Sequence, residues 1–175
     1  MKFSSRVDIA APAEFVFDQI ADFASFEHAA RRRGVSLRRI DALAVPGPGM
    51  SWEVGFHFRG RLRQLTAEII RFERPAAIDY SGKSHGFELL LSLQITVLAP
   101  GRSRLHVMLD ARPRTLGARL LLQSAKLGRS RLERSFEERV ATFGAALYTR
   151  FAAARSGARD GVAPQAQPWR RGSAG

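Results

Sequence analysis

The chain has 175 residues, 45% of them hydrophobic and 25% charged, enough for one domain with a real core. It has no cysteine, which excludes a disulfide framework, a thiolate metal site and a cysteine nucleophile. Its formal net charge of +12 points either to a polyanionic partner, such as nucleic acid or an anionic membrane surface, or to codon bias in a GC-rich bacterial genome. Among the 28 basic residues only Lys2, Lys83 and Lys126 are lysine, and the arginines are scattered along the chain, which favours codon bias.

The N-terminal stretch Met1–Arg6 has no apolar core of a secretory signal. The longest apolar run, Phe87 to Leu98, is interrupted by Glu88 and Gln94 and falls short of the roughly 20 residues that span a bilayer. These features predict a soluble, cytoplasmic protein.

The first element is an alternating strand, Lys2 to Ala10, with Phe3, Ser5, Val7 and Ile9 on one face. Pro12 to Asp22 reads as a helix with an apolar stripe of Phe15, Val16 and Ile20. A second short helix, Phe26 to Arg33, is stopped by Gly34. Six more strands follow at hairpin spacing: Val35 to Leu43, Ser51 to Arg59, Arg61 to Glu73, Ala77 to Lys83, Phe87 to Leu98 and Ser103 to Arg112. The loop Pro46-Gly47-Pro48-Gly49 and the turns at Gly60, Gly82 to Gly86 and Pro100-Gly101 separate them. Pro113 ends the last strand, and Thr115 is placed to cap one long helix running to about Ala154. Its stripe runs Leu121, Ala125, Gly128, Leu132, Phe136, Val140, Phe143, Leu147 and Phe151, close to helical spacing. Ala125 and Gly128 either allow close backbone approach or leave room for a ligand. Residues 156–175, rich in Gly, Ala, Pro and Gln, read as a disordered tail after a domain over 1–155.

This is an α+β arrangement in which a seven-stranded antiparallel sheet wraps around a long C-terminal helix. An apolar sheet face must be covered, and a curved sheet gripping a helix tends to leave a ligand cavity between them. Val7 to Phe23 resembles the entry signature of the START-like (SRPBCC) superfamily, the polyketide cyclase/dehydrase and lipid-transport group. There a strand ends at a small-residue–Pro step, here Ala11-Pro12, and the next helix carries a Val-Phe-Asp core, here Val16-Phe17-Asp18. Gly49-Met50-Ser51-Trp52, the Arg74-Pro75 step and the long terminal helix also fit. The resemblance covers about residues 2 to 153 and implies the helix-grip fold with a hydrophobic cavity. Its members bind lipids, sterols, polyketides or quinones, and some cyclise or aromatise them, so the fold alone names no activity.

Catalytic motifs are absent. The histidines His28, His57, His85 and His106 are isolated, and neither a nucleophile elbow nor a phosphate-binding loop occurs. No metal and no cofactor is expected. The cavity candidates are Trp52, Phe56, Phe58, Tyr80, Leu91, Leu93, Leu132 and Phe136. Trp52 is either a stacking platform or core; Tyr80 is either a ligand hydroxyl donor or core. Glu68 and His85 are the candidate acid/base groups. Glu68 shares a strand phase with Leu62 and Ile70, while the opposite phase, Leu65, Ala67 and Ile69, competes for the inside.

The first expectation is non-catalytic binding or transport of a lipid, quinone or polyketide-like molecule. The second is a cyclase or aromatase-type enzyme using Tyr80, Glu68 or His85. The third is a module that binds a polyanion or touches a membrane transiently through its arginines, without specific recognition of nucleic acid. Trp169-Arg170-Arg171 in the tail belongs to this third expectation. Oligomeric state is not legible.

Overall fold

The alternation at the N-terminus forms the strand it specifies. In the structure, a computed structural model describing residues 1–58 and 60–160, β1 spans Lys2–Ile9, with Phe3, Ser5 and Val7 partly covered, Ile9 buried, and Lys2, Ser4, Arg6 and Asp8 exposed. Two short helices follow, α1 over Ala13–Ile20 and α2 over Phe23–Arg32. Asp22 opens the second helix instead of closing the first: its Oδ1 accepts the Ser25 backbone N–H at 3.1 Å, a helix cap.

The sheet continues with β2 (Ser36–Arg39), β3 (Ser51–Phe58), β4 (Arg61–Glu73), β5 (Ala77–Lys83), β6 (Phe87–Ala99) and β7 (Arg102–Pro113). All neighbours pair antiparallel in the order β1-β7-β6-β5-β4-β3-β2, the seven strands expected from the hairpin spacing. β2 is shorter than its sequence pattern, because Asp41 turns the chain out of the ladder. Its carboxylate accepts the backbone N–H groups of Leu43 at 2.9 Å and Ser51 at 2.8 Å and holds Arg39 through both oxygens. The Arg39 guanidinium, and then these N–H groups, keep the Asp41 carboxyl well below the usual carboxylate range.

A register shift between Ile69 and Arg71 resolves the two phases of β4. Before it, Leu65 and Ala67 are partly covered and Ile69 is buried, while Glu68 and Ile70 are exposed; after it Phe72 is carried inward, with its ring centroid 5.2 Å from that of Phe17.

The C-terminal segment differs from the single helix its stripe suggests. It is broken into α3 (Leu116–Lys126) and α4 (Arg129–Asp160), with α3 capped by Thr115 Oγ1 accepting the Ala118 N–H at 3.2 Å. Leu127 and Gly128 close the last turn of α3 with bonds back three residues, to the Ser124 and Ala125 carbonyls, and the Gly128 carbonyl accepts the first N–H bonds of α4. Glycine is a poor helix interior residue, and here it sits at the joint. Val140 and Leu147 are buried and Phe136, Phe143 and Phe151 half-buried, as the stripe predicts, but Leu132 and Gly128 near the break are exposed. Residues 156–158, read from composition as tail, continue α4, which ends at Asp160. The remainder of that tail, 161–175 with Trp169-Arg170-Arg171, lies outside the described residues.

The two ends of the sheet are covered differently. At one end α1 and α2 close a core of Ile9, Phe17, Ile20, Ile69, Ile78 and Leu105, all at most 1% exposed. Asp18 in α1 receives two N–H bonds from Arg74 at 3.0 and 2.9 Å, joining two parts of the N-terminal and Arg-Pro signatures. α4 runs along β1 so closely that a Cβ on Gly144 would lie 2.6 Å from Val7 Cγ2. At the other end, where β3 turns into β4 and β5 into β6, the cover among the described residues is α3.

Candidate functional site

A pocket of about 750 Å³ opens at this second end. Its walls come from three places: the β3–β4 hairpin (Phe56, Leu62, Arg63, Gln64, Leu65), the β5–β6 turn (Ser84 to Phe87, with Leu89) and the start of α3 (Thr115, Gly117, Ala118, Leu121). Register explains the assembly. Phe56 and Arg63 are direct cross-strand partners, so both face the concave side with Leu65 one step further in. Gly82 lies between Leu65 and Leu89: a Cβ there would meet Leu89 Cβ at 3.3 Å and Leu65 Cδ1 at 3.8 Å. The absent side chain lets these two lining leucines come close to the β5 backbone.

The β5–β6 turn is fixed to the α3 junction. The Arg114 backbone N–H donates to the Gly86 carbonyl at 2.8 Å, and Ser84 Oγ both donates to the Phe87 carbonyl at 3.2 Å and accepts its N–H at 3.0 Å. Ser84 and Thr115 therefore spend their hydroxyls on the backbone. Arg63, Gln64 and His85 make no side-chain hydrogen bond to the described residues, and no carboxylate lines the pocket. The site is an apolar chamber of leucine and phenylalanine with one cation, one amide and one imidazole at its walls.

Of the sequence candidates, Phe56 and His85 line this pocket. Tyr80 sits on the inward face of β5, two residues from Gly82, between Ile69 and Leu91 in register. Its hydroxyl has no hydrogen-bond partner among the described residues, and burial pushes its pKa up, so it stays a neutral phenol. Leu91 and Leu93 are half-buried against the core between the two ends. Trp52 lies at the closed end: 6% exposed, it donates its indole N–H to Glu27 Oε1 at 2.8 Å and packs on Phe23 with centroids 5.6 Å apart. That satisfied indole ties α2 to the sheet, well away from the pocket lining. Phe136 stacks against Phe3 at 5.9 Å on α4, and Leu132 is 43% exposed near the helix break. The Phe58 side chain lies outside the described residues.

Glu68 points away from the pocket. It is exposed on the outer face of β4, the phase opposite Leu65, Ala67 and Ile69, so it is no acid for chemistry inside. Sequence reasoning missed Arg63, Leu65, Phe87, Leu89 and the α3 residues. Phe87 and Leu89 share the phase of Leu91 and Leu93, so their inward direction was legible; that the chamber would gather at the hairpin end was not. Among the described residues no group of three or more His, Asp or Glu side chains could hold a metal ion, and no helix is long and apolar enough to cross a membrane.

No protein-family model matches the chain, and no curated protein matches it. Solved structures do. A Thermus thermophilus protein matches 88% of this chain and 99% of its own at a TM-score of 0.59 and 15% identity. A Streptomyces aromatase/cyclase matches 77% of this chain and 88% of its own at a TM-score of 0.55 and 16% identity. A START superfamily protein from Mycobacterium smegmatis matches 79% of this chain and 96% of its own at a TM-score of 0.51 and 16% identity. Identities this low speak to architecture, and with the strand order and the C-terminal helices they establish an α+β helix-grip fold like that of these structures.

Proposed function

We propose that the protein binds a hydrophobic small molecule in the pocket beneath α3, as a carrier or sensor and not as a catalyst. The observation that carries this reading is the pocket itself: about 750 Å³ within the usual size of small-molecule sites, walled by Phe56, Leu62, Leu65, Phe87, Leu89 and Leu121. Apolar ligand surface buried there contributes about 25 cal/mol per Å². Arg63 gives the ligand a preferred direction, with an apolar body toward Leu89 and a polar or anionic end toward the guanidinium. A lipid, a quinone or a polyketide-like chain with one such end fits this description.

The arginine surface supports a specific polyanion site less well. Arg31, Arg38, Arg39, Arg71, Arg74, Arg102, Arg104, Arg112 and Arg129 are each paired with a carboxylate of the chain and are spread around the molecule.

Titration with the anionic apolar dye anilinonaphthalene sulfonate tests the reading. A Cβ at Gly117 meets nothing within 4 Å, so Gly117→Trp places an indole at the pocket wall without crowding the backbone. One dye should bind per chain, and Gly117→Trp should weaken it by more than about tenfold while the chain stays folded. Dye binding unchanged in the folded variant contradicts the reading.

Catalysis of the cyclase or aromatase kind has one observation in its favour, His85 on the pocket wall. It requires that a poly-ketone substrate turn over and that His85→Asn stop turnover without loosening binding.

A further inference from the structure

The break at Leu127-Gly128 frees α3 from the stripe that packs α4, and it leaves leucines outward. Leu116, Leu120 and Leu127 are 76%, 67% and 92% exposed. At 3.6 residues per turn, positions separated by four and seven residues fall within an arc of about 40°, so Leu116 and Leu120 of α3 and the helical cap residue Leu127 after it form a single line. The opposite side of the same helix, Ala118 and Leu121, walls the pocket, and Leu62 at the facing rim is 60% exposed. An apolar ridge thus runs along the outer side of the helix that walls the pocket.

Charge around the ridge has one sign. Residues 111–132 contain six basic side chains and no acidic one. Arg112 and Arg129 pair with Asp110 and Glu133, outside that stretch. Arg114, Arg119, Lys126 and Arg131 have no carboxylate partner among the described residues, and Arg119 and Lys126 lie together along one side of the leucine line. Leucines in a line with cations beside them and no acid is the pattern of a helix that lies in the headgroup region of an anionic bilayer. A second copy of this chain is a poor occupant, because two such faces would bring like charges together without a compensating acid.

We propose that α3 docks the pocket mouth onto an anionic membrane surface, its leucines entering the acyl boundary and its cations meeting lipid phosphates. The proposal rests on the ligand-binding reading above, since it supplies the route by which a poorly soluble molecule enters or leaves. It differs from adsorption by scattered arginines, because it needs Leu116, Leu120 and Leu127.

Co-sedimentation with phosphatidylcholine vesicles, with and without phosphatidylglycerol, tests it. The wild-type chain should bind only the anionic vesicles, more weakly as salt rises. The triple variant Leu116→Ser, Leu120→Ser, Leu127→Ser should lose at least about tenfold in vesicle affinity. These side chains are exposed and lie outside the pocket lining, so the variant should still take up one anilinonaphthalene sulfonate. Equal vesicle binding by wild type and variant means charge alone suffices and overturns the proposal. Absence of vesicle binding overturns it too, and a wild-type dimer that the triple variant abolishes would then assign the ridge to a second copy. Failure of dye binding in the wild type would strike the pocket reading separately.

Discussion

The two ends of this sheet are built from the same alternating strands, yet one is closed and the other is hollow. At the closed end two helices with short connections press Phe17, Ile20 and Phe23 into the sheet, and Trp52 spends its indole N–H on Glu27. At the open end one short helix leans on a turn, and the same kinds of side chain, Phe56, Leu65, Phe87 and Leu89, line space. Hydrophobic patterning therefore specifies which face of a strand is covered. What covers it, and how fully, depends on the helices.

The contrast can be broken by substitutions at each end. The largest effect is expected from Phe17→Ala, which removes a ring 1% exposed and should cost about 3–5 kcal/mol in denaturant unfolding. The folded fraction should still bind dye at the far end.

Next comes one substitution made at two glycines. Gly144→Ala drives a Cβ into Val7 and should destabilise by about 1–3 kcal/mol, although alanine is the better helix former. Gly117→Ala meets open space and should stabilise by up to about 1 kcal/mol. Thermal unfolding should show opposite signs, and Val7→Ala should remove the penalty at Gly144.

Glu27→Ala strands the buried Trp52 N–H and should cost about 1–3 kcal/mol, while Glu27→Gln keeps an acceptor and should cost less. A shift in the tryptophan emission of the folded state would report the same loss.

The smallest effect concerns acid. Asp41 has a folded pKa depressed below its ordinary 3.8, so its contribution is fully present above that value. It is lost as pH falls from there through the folded pKa. Stability measured across that window should fall less steeply in Asp41→Asn than in the wild type.

Much of the architecture was legible because it rests on period. The two-residue repeat from Phe87 to Val97 and the turns at Gly60 and Pro100-Gly101 define strands whatever else the chain does. The long C-terminal helix was legible and is α4; the main misreading was its start, which the stripe carried back to Thr115 without a break. Leu121, Ala125, Gly128 and Leu132 continue the helical spacing across a joint, and spacing does not register that α3 and α4 part there. The site was less legible for the same reason. Phe56 and His85, singled out by strand phase and turn position, line the pocket, but Trp52, the most suggestive aromatic, belongs to the core because Glu27 of α2 reaches its indole. Glu68 could be placed only once the register shift after Ile69 showed which phase of β4 turns inward. Arg63 was passed over as one of many scattered arginines, and only its pairing with Phe56 puts it on the concave side.

The most direct test of the hollow end is native mass spectrometry of the freshly purified chain beside Gly117→Trp, with organic extraction of both. The wild type should carry, or take up, one extractable apolar molecule per chain, and Gly117→Trp should fly bare. A wild type that is bare and stays bare when offered lipid, quinone and polyketide-like probes would contradict the account.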